Sequence, residues 1–169
     1  MRNIIDNIKD KDVIDYLEYL KYERRVSINT IDSYGENLLL LSDSINKDLI
    51  NLQKEEIKDF LTNVYATQRT KAHYLTVFNS FYKYLVFMDK LKDNPCDGIK
   101  SPKLEKKLPT YLTSEEIDKL LDIRLTKPID YRNKALLELI YATGGRISEI
   151  ISLELNQIDF DECVIRVTG

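Results

Sequence analysis

The feature that most constrains the fold is a helical repeat of apolar residues in four segments of the first 90 residues. In the longest segment, residues 67–90, apolar side chains recur three and four positions apart, at Leu75, Phe78, Phe81, Tyr82, Leu85 and Met88. Shorter segments with the same spacing cover residues 12–24, 29–41 and 49–65. Because the intervening loops are short, the pattern predicts a compact bundle of four helices with an aromatic core.

A proline-rich and lysine-rich stretch follows the fourth helical segment. Asn94-Pro95 ends that helix, because the residue before a proline is pushed out of the helical conformation. We therefore predict a helical domain at residues 1–99, a basic linker at 100–112 and a second domain at 113–169. Lysines of the linker, such as Lys103, either belong to a solvated tether or contact backbone phosphates.

The second domain combines helical and β patterns. Thr113 with Glu116 marks a helix start, and residues 130–142 form a second helix that Gly144 and Gly145 end. We expect that helix to bury Ala135, Leu136, Leu139 and Ile140. Residues 163–168 predict a β-strand, entered through a turn at 159–162, without a partner strand of comparable quality. The pattern predicts a truncated α+β domain that ends in an unpaired strand.

Composition limits the class of protein. The chain has 169 residues, of which 43% are hydrophobic and 31% charged, as in ordinary globular proteins. It has neither an apolar run long enough for a bilayer nor a signal-peptide pattern, so we expect a cytoplasmic protein without membrane association. Cys96 and Cys163 suggest neither a disulfide framework nor a metal site. A net charge of −3 argues against nucleic-acid binding unless basic residues cluster on one surface.

One arginine stands out because it follows a double glycine. If residues 147–152 are helical, Arg146 and Glu149 share a face, and the carboxylate can hold the guanidinium in one orientation. An exposed backbone turn beside an arginine allows a phosphate to approach closely. Taken alone, an arginine and a glutamate at this spacing more often form a solvated or structural ion pair.

These residues carry a family resemblance. The first catalytic box of tyrosine recombinases, the phage integrase and Xer-type family, resembles the run Thr143-Gly144-Gly145-Arg146-Ile147-Ser148-Glu149-Ile150, with residues 153–159 and 164–169 after it. The start of the family's core-binding domain is similar to residues 22–34, and further similarity lies at residues 80–85 and at Asn94-Pro95. The resemblance therefore extends over nearly the whole chain.

The resemblance implies a SAM-like core-binding domain of four or five helices and a catalytic domain that close on double-stranded DNA. In this family DNA is cut and rejoined through a 3′-phosphotyrosyl intermediate, without a metal or nucleotide cofactor. Arg146 matches the first of two arginines that neutralise the scissile phosphate, and Glu149 matches the acidic residue that supports it. Other recombinase protomers are the implied protein partners of the full-length protein.

The resemblance also implies DNA contacts by position. On the second helix these are Ser27, Asn29, Thr30 and Tyr34, and at the start of the fourth they are Gln68, Arg69 and Lys71. Capping of the second helix alone would explain Ser27, Asn29 or Thr30.

The family's remaining catalytic groups have no matching positions in these 169 residues. They are a general-acid lysine, a His-x-x-Arg box and the nucleophilic tyrosine. We therefore expect this chain to be the N-terminal portion of a recombinase and inactive alone. Two alternatives stay open: a truncated protein that binds DNA or regulates a recombinase, and a helical protein-interaction module in which Arg146 and Glu149 form only a structural pair.

Overall fold

A computed structural model describes residues 8–103 and 110–167 of the chain. Within these ranges the chain forms seven α-helices, two 3₁₀ turns and one antiparallel pair of short strands. The backbone separates into two compact units, residues 1–106 and 107–169. The prediction of a mainly helical chain, with an N-terminal bundle followed by helices and a β element, is confirmed. Part of the predicted linker, residues 104–109, lies outside the described residues.

The first unit is built from four helices and a 3₁₀ turn: α1 (Lys11–Tyr22), α2 (Ile28–Ile45), the turn Leu49–Asn51, α3 (Lys54–Asn63) and α4 (Gln68–Phe87). Side chains of Asp10, Ser27 and Thr67 cap α1, α2 and α4 by accepting backbone N–H groups of the first turn. Asn46 ends α2 in the left-handed conformation, at φ 55°. Local residue choice therefore sets these helix ends.

The core of this unit lies where α1, α2 and α4 meet. Leu17, Leu38 and Phe81 are fully buried there, with Phe81 edge-on to Tyr16 at 5.4 Å between ring centroids. Burial of one such side chain stabilises a fold by roughly 1.5–3 kcal/mol. The prediction that the aromatic stripe of α4 forms the core is confirmed for Phe78, Phe81 and Tyr82.

Two buried tyrosines keep their hydroxyl groups hydrogen-bonded inside the core. Tyr82 Oη donates to the carbonyl of Leu49 at 2.8 Å, and Tyr16 Oη donates to Ser80 Oγ at the same distance. Burial raises the pKa of both phenols well above the usual tyrosine range. The hydroxyls therefore fix α4 against the 3₁₀ turn and against α1.

An ion-pair cluster joins α1 to the segment that follows α4. Lys90 Nζ lies 2.6 Å from Asp12 Oδ1 and 3.1 Å from Asp15 Oδ2. Hydrogen bonds to Asp12 and then Asp15 raise the pKa of the Lys90 ammonium. The lysine therefore stays protonated and connects α1 to the segment that follows α4.

Two sequence expectations for the first unit are wrong. Residues 49–65 do not form one helix, because the chain is extended at Leu52 and Gln53 and the Glu56 carboxylate accepts the N–H of Gln53 to begin α3. Met88 does not belong to the core; it is 46% exposed, since α4 ends at Phe87 and Met88 lies in its C-cap.

The second unit contains α5 (Ser114–Leu121), α6 (Pro128–Thr143), α7 (Ile147–Ile151), the 3₁₀ turn Leu155–Gln157 and the strands β1 (Ile158–Asp159) and β2 (Val164–Ile165). The predicted cap at Thr113 is confirmed: Thr113 Oγ1 accepts the Glu116 N–H at 3.3 Å, and the Glu116 carboxylate accepts the Thr113 N–H at 2.8 Å. Lys134 Nζ donates to the Leu121 carbonyl and so ties α6 to the end of α5.

Burial in this unit differs from the sequence prediction. Ala135 is exposed, and Leu136, Leu139 and Ile140 are only half-buried, so the expected burial of that face of α6 is wrong. The helices that pack on α6 are short, at eight residues for α5 and five for α7, and they cover only part of it. Between residues 110 and 167, Ile150 is the one buried hydrophobic side chain, at 3% exposed.

The expectation of an unpaired C-terminal strand is also wrong. β1 and β2 pair antiparallel, with Ile158 opposite Ile165 and Asp159 opposite Val164. The strand is shorter than the predicted 163–168, because Cys163 takes a left-handed φ of 52° and belongs to the turn. Asp159 Oδ1 accepts two backbone N–H groups of that turn, which closes the hairpin.

Candidate functional site

The arginine box of the second unit lies where α6 gives way to α7. Gly144 caps α6 in the left-handed conformation, at φ 62°, and donates its N–H to the Ile140 carbonyl. Most residues other than glycine are strained at that φ. The chain then turns, and Arg146 occupies the position immediately before α7.

Two hydrogen bonds fix the arginine to the glutamate three residues later. Arg146 Nη1 donates to Glu149 Oε1 at 2.7 Å, and the Arg146 backbone N–H donates to Glu149 Oε2 at 2.8 Å. The backbone bond, followed by the guanidinium bond, holds the pKa of the Glu149 carboxyl below its usual range. The contact inferred from the spacing is therefore present, although Arg146 precedes the helix and is not part of it.

Exposure differs sharply within this pair. The Arg146 side chain is 81% exposed, whereas that of Glu149 is only 16% exposed. A guanidinium has five N–H donors, so most of those of Arg146 remain available to a ligand. Because a guanidinium does not lose its proton at physiological pH, it can bind and stabilise an anion but cannot transfer protons.

The box is anchored by the buried side chain of α7. Ile150 is 3% exposed, while its neighbour Ile151 is 66% exposed. A Cβ at Gly145 would lie 3.0 Å from Ile150 Cδ1 and 3.2 Å from Thr143 Oγ1. Glycine therefore allows the turn to pack closely on the anchor. Sequence reasoning missed Ile150 as an anchor, since other isoleucines occur nearby both before and after it in the sequence.

The predicted contacts at the start of α2 also serve the helix itself. Ser27 Oγ accepts the Thr30 N–H at 3.3 Å and lies 2.9 Å from Thr30 Oγ1. Asn29 is exposed, and Tyr34 is half-buried with its ring edge-on to His73 at 6.2 Å between centroids. The capping alternative is thus correct for Ser27, whose exposed hydroxyl still faces solvent.

The start of α4 repeats this arrangement. Thr67 Oγ1 accepts the Thr70 N–H at 3.2 Å and lies 2.8 Å from Thr70 Oγ1. Gln68 and Arg69 follow the cap and are exposed, while Lys71 is half-buried and donates from Nζ to the Thr62 carbonyl at 2.8 Å. Sequence reasoning missed this second hydroxyl pair, although its spacing matches that of the first.

The remaining predicted contact, Lys103, is exposed in the segment after Pro102. Within the described ranges, no group of three or more His, Cys, Asp or Glu side chains is placed to hold a metal ion. No helix in residues 8–103 or 110–167 combines the length and apolarity that crossing a bilayer requires.

Two family models match the chain. The model described as "Phage integrase, N-terminal SAM-like domain" matches residues 13–87, and "Phage integrase family" matches residues 110–169. The first match lies in the helical bundle and the second contains the arginine box. Bundle and box together define a core-binding module joined to part of an integrase-type catalytic domain.

Individual relatives agree with the family models. The tyrosine recombinase XerC of Actinobacillus succinogenes is 34% identical over 161 residues, which cover 91% of this chain and 55% of that protein. The tyrosine recombinase XerD of Pasteurella multocida is 33% identical over 172 residues, which cover 96% of this chain and 57% of that protein. The chain belongs to the tyrosine recombinase and phage integrase family. It spans about half the length of the curated relatives it matches.

A solved structure supports the fold. The integrase from mycobacterium phage Brujita aligns with a TM-score of 0.57 and 22% sequence identity, over 95% of this chain and 55% of that one. At this level of identity the likeness concerns the fold.

Proposed function

We propose that this chain is the N-terminal portion of a site-specific DNA recombinase and that it binds the duplex around the bond to be cut. In the intact enzyme, strands would be cut and rejoined through a 3′-phosphotyrosyl intermediate, as the family resemblance implies. Arg146 is the residue in this chain that meets the scissile phosphate. The observation that carries the proposal is its exposed guanidinium, held by a shielded carboxylate beside a double-glycine turn.

The exposure of the pair favours a ligand-binding role over a purely structural one. A guanidinium that served only the fold would direct its donors into the protein, whereas that of Arg146 is 81% exposed. Glu149 already caps α7 through the backbone N–H of Arg146. The guanidinium is therefore not required to begin the helix, and its free N–H groups can meet the nonbridging oxygens of a phosphate.

Glu149 acts as a positioning residue in this proposal. Its carboxylate contacts both the backbone and the guanidinium of Arg146, so it restricts the arginine to one orientation before DNA arrives. Restricting a long side chain in advance lowers the entropy lost on binding. With its pKa lowered by these bonds, the carboxylate stays ionised near neutral pH.

The first unit bears proposed DNA contacts of its own. The two hydroxyl-capped helix starts, at Ser27 in α2 and at Thr67 in α4, bear exposed polar side chains that include Asn29 and Arg69. Hydroxyl, amide and guanidinium groups are common donors to DNA phosphates. A local surface of this kind is compatible with the net charge of −3, since binding depends on the nearby field.

The test compares two arginines of the second unit. Arg146→Ala and Arg124→Ala remove the same charge, and Arg124 is an exposed loop residue outside the box. In fluorescence anisotropy with a labelled DNA duplex, Arg146→Ala should weaken binding by about tenfold to a hundredfold, the usual cost of losing a hydrogen bond to a charged group. Arg124→Ala should bind like the parent chain. Equal losses in the two variants, or none in Arg146→Ala, would refute the assignment.

A further inference from the structure

A groove in the first unit is lined by lysines that the predicted contacts only partly include. It has a volume of about 580 Å³ and lies between α3, the start of α4 and residues 98–102. Four lysines line it: Lys54, Lys58, Lys71 and Lys100. Among the described residues its lining includes no acidic side chain.

Backbone carbonyls hold two of these lysines in place. Lys54 Nζ donates to the carbonyl of Asp97, and Lys71 Nζ donates to that of Thr62 at 2.8 Å. Gly98, at φ 74°, makes room for the first contact, because a Cβ there would lie 2.9 Å from Lys54 Nζ. The folded chain therefore positions both ammonium groups at the groove.

These contacts orient the lysines without neutralising them. A carbonyl oxygen carries no net charge, and an ammonium has three N–H donors, so two remain on each held lysine. The salt bridges formed by lysines within residues 8–103 involve Lys47 and Lys90, and none of the four groove lysines takes part. Within residues 8–103 these four lysines have no salt-bridge partner, and four such charges around one concave surface create a positive potential that attracts an anion.

We propose that this groove binds the sugar-phosphate backbone of duplex DNA and so extends the contact surface from α4 onto α3, through Lys54 and Lys58. The inference rests on the proposed function. Gln68 and Lys71, two of the predicted contacts, belong to the same lining. Lysine binds phosphate as a point charge and lacks the planar fork that reads a base edge, so these contacts add affinity without sequence preference.

The experiment measures how the affinity for a labelled duplex depends on salt. The double variant Lys54→Gln, Lys58→Gln is compared with Lys83→Gln, Lys92→Gln, which changes two exposed lysines of the same unit outside the groove. The parent chain should bind more tightly than the double variant at low salt. If two phosphate contacts are lost, this advantage in binding constant should be about 12-fold smaller at about 200 mM salt than at about 50 mM. The control pair should keep the parent's salt dependence.

A second variant guards against misfolding, because Lys54 also supports the segment at Asp97. Lys58→Gln, Lys100→Gln leaves both carbonyl-held lysines intact, and circular dichroism checks its fold. A reduced salt dependence in both groove variants supports the inference. An unchanged dependence in a folded groove variant, or an equal change in the control, overturns it while DNA binding by the parent chain stands. If the parent chain does not bind the duplex, the proposed function itself fails.

Discussion

The anchoring of the arginine box by one buried side chain leads to a sharp prediction. Ile150 and Ile151 are adjacent, chemically identical and part of the same helix, but they are 3% and 66% exposed. Replacing each by alanine in turn removes the same atoms from a buried and from an exposed position. We expect Ile150→Ala to open the box locally and Ile151→Ala to leave it closed.

The magnitude follows from the surroundings of each side chain. Substitution of a buried isoleucine by alanine costs about 2–5 kcal/mol, and the cost is smallest where the site can collapse. Since the hydrophobic side chains around Ile150 in residues 110–167 are only partly buried, we expect the lower end, about 2 kcal/mol. Ile151 buries about a third of its surface, and its loss should cost below ~1 kcal/mol.

Amide hydrogen exchange, followed by mass spectrometry, reports on this region separately from the first unit. A loss of about 2 kcal/mol corresponds to roughly 30-fold faster exchange for amides of α6 and α7, and below ~1 kcal/mol to roughly fivefold at most. The amides of α4 serve as an internal reference and should be unchanged. If Ile151→Ala accelerates exchange as much as Ile150→Ala, burial of Ile150 does not hold the box.

Three further predictions concern single side chains. Tyr82→Phe removes a buried hydroxyl that donates at 2.8 Å, so urea unfolding of the first unit should show a loss of about 1 kcal/mol; no loss would contradict the hydrogen bond. Iodoacetamide should label the exposed Cys163 and spare Cys96, because burial raises the pKa of the Cys96 thiol to about 12. Mass spectrometry identifies the labelled cysteine, and preferential labelling of Cys96 would contradict this prediction. Because the pKa of Glu149 is lowered in the folded chain, its contribution is present above the usual glutamate pKa and lost as pH falls through the folded value. The protection of α7 amides, taken relative to the intrinsic exchange rate at each pH, should therefore fall in acid, and Glu149→Gln should remove that dependence.

Three helices of the first unit, α1, α2 and α4, were predictable because their signals are local. Ser27 is a good cap in sequence and in structure, and the spacing of Phe78, Phe81 and Tyr82 identifies a buried face without knowledge of what packs on it. The contact of Arg146 with Glu149 belongs to the same group, since three residues of chain bring the two side chains together.

Several of the errors concern features that depend on distant parts of the chain. The exposure of Ala135 follows from how little of α6 the short neighbouring helices cover, which no periodicity in α6 encodes. β1 consists of two residues, Ile158 and Asp159, too few to show an alternating pattern. The groove is built from three separate segments, and a glycine admits Lys54 to its carbonyl partner, so the sequence does not reveal that these lysines meet.

The aromatic core of the first unit has an optical consequence. The chain contains eleven tyrosines and no tryptophan, so its near-ultraviolet spectrum comes mainly from tyrosine. Tyr16 and Tyr82 are fixed in asymmetric, fully packed surroundings, whereas Tyr111, Tyr131 and Tyr141 of the second unit are 59–89% exposed. A rigid chromophore gives strong near-ultraviolet circular dichroism, and a mobile one gives almost none. The ellipticity near the tyrosine band should therefore come mainly from the bundle, so the unfolding of the first unit can be followed without any label.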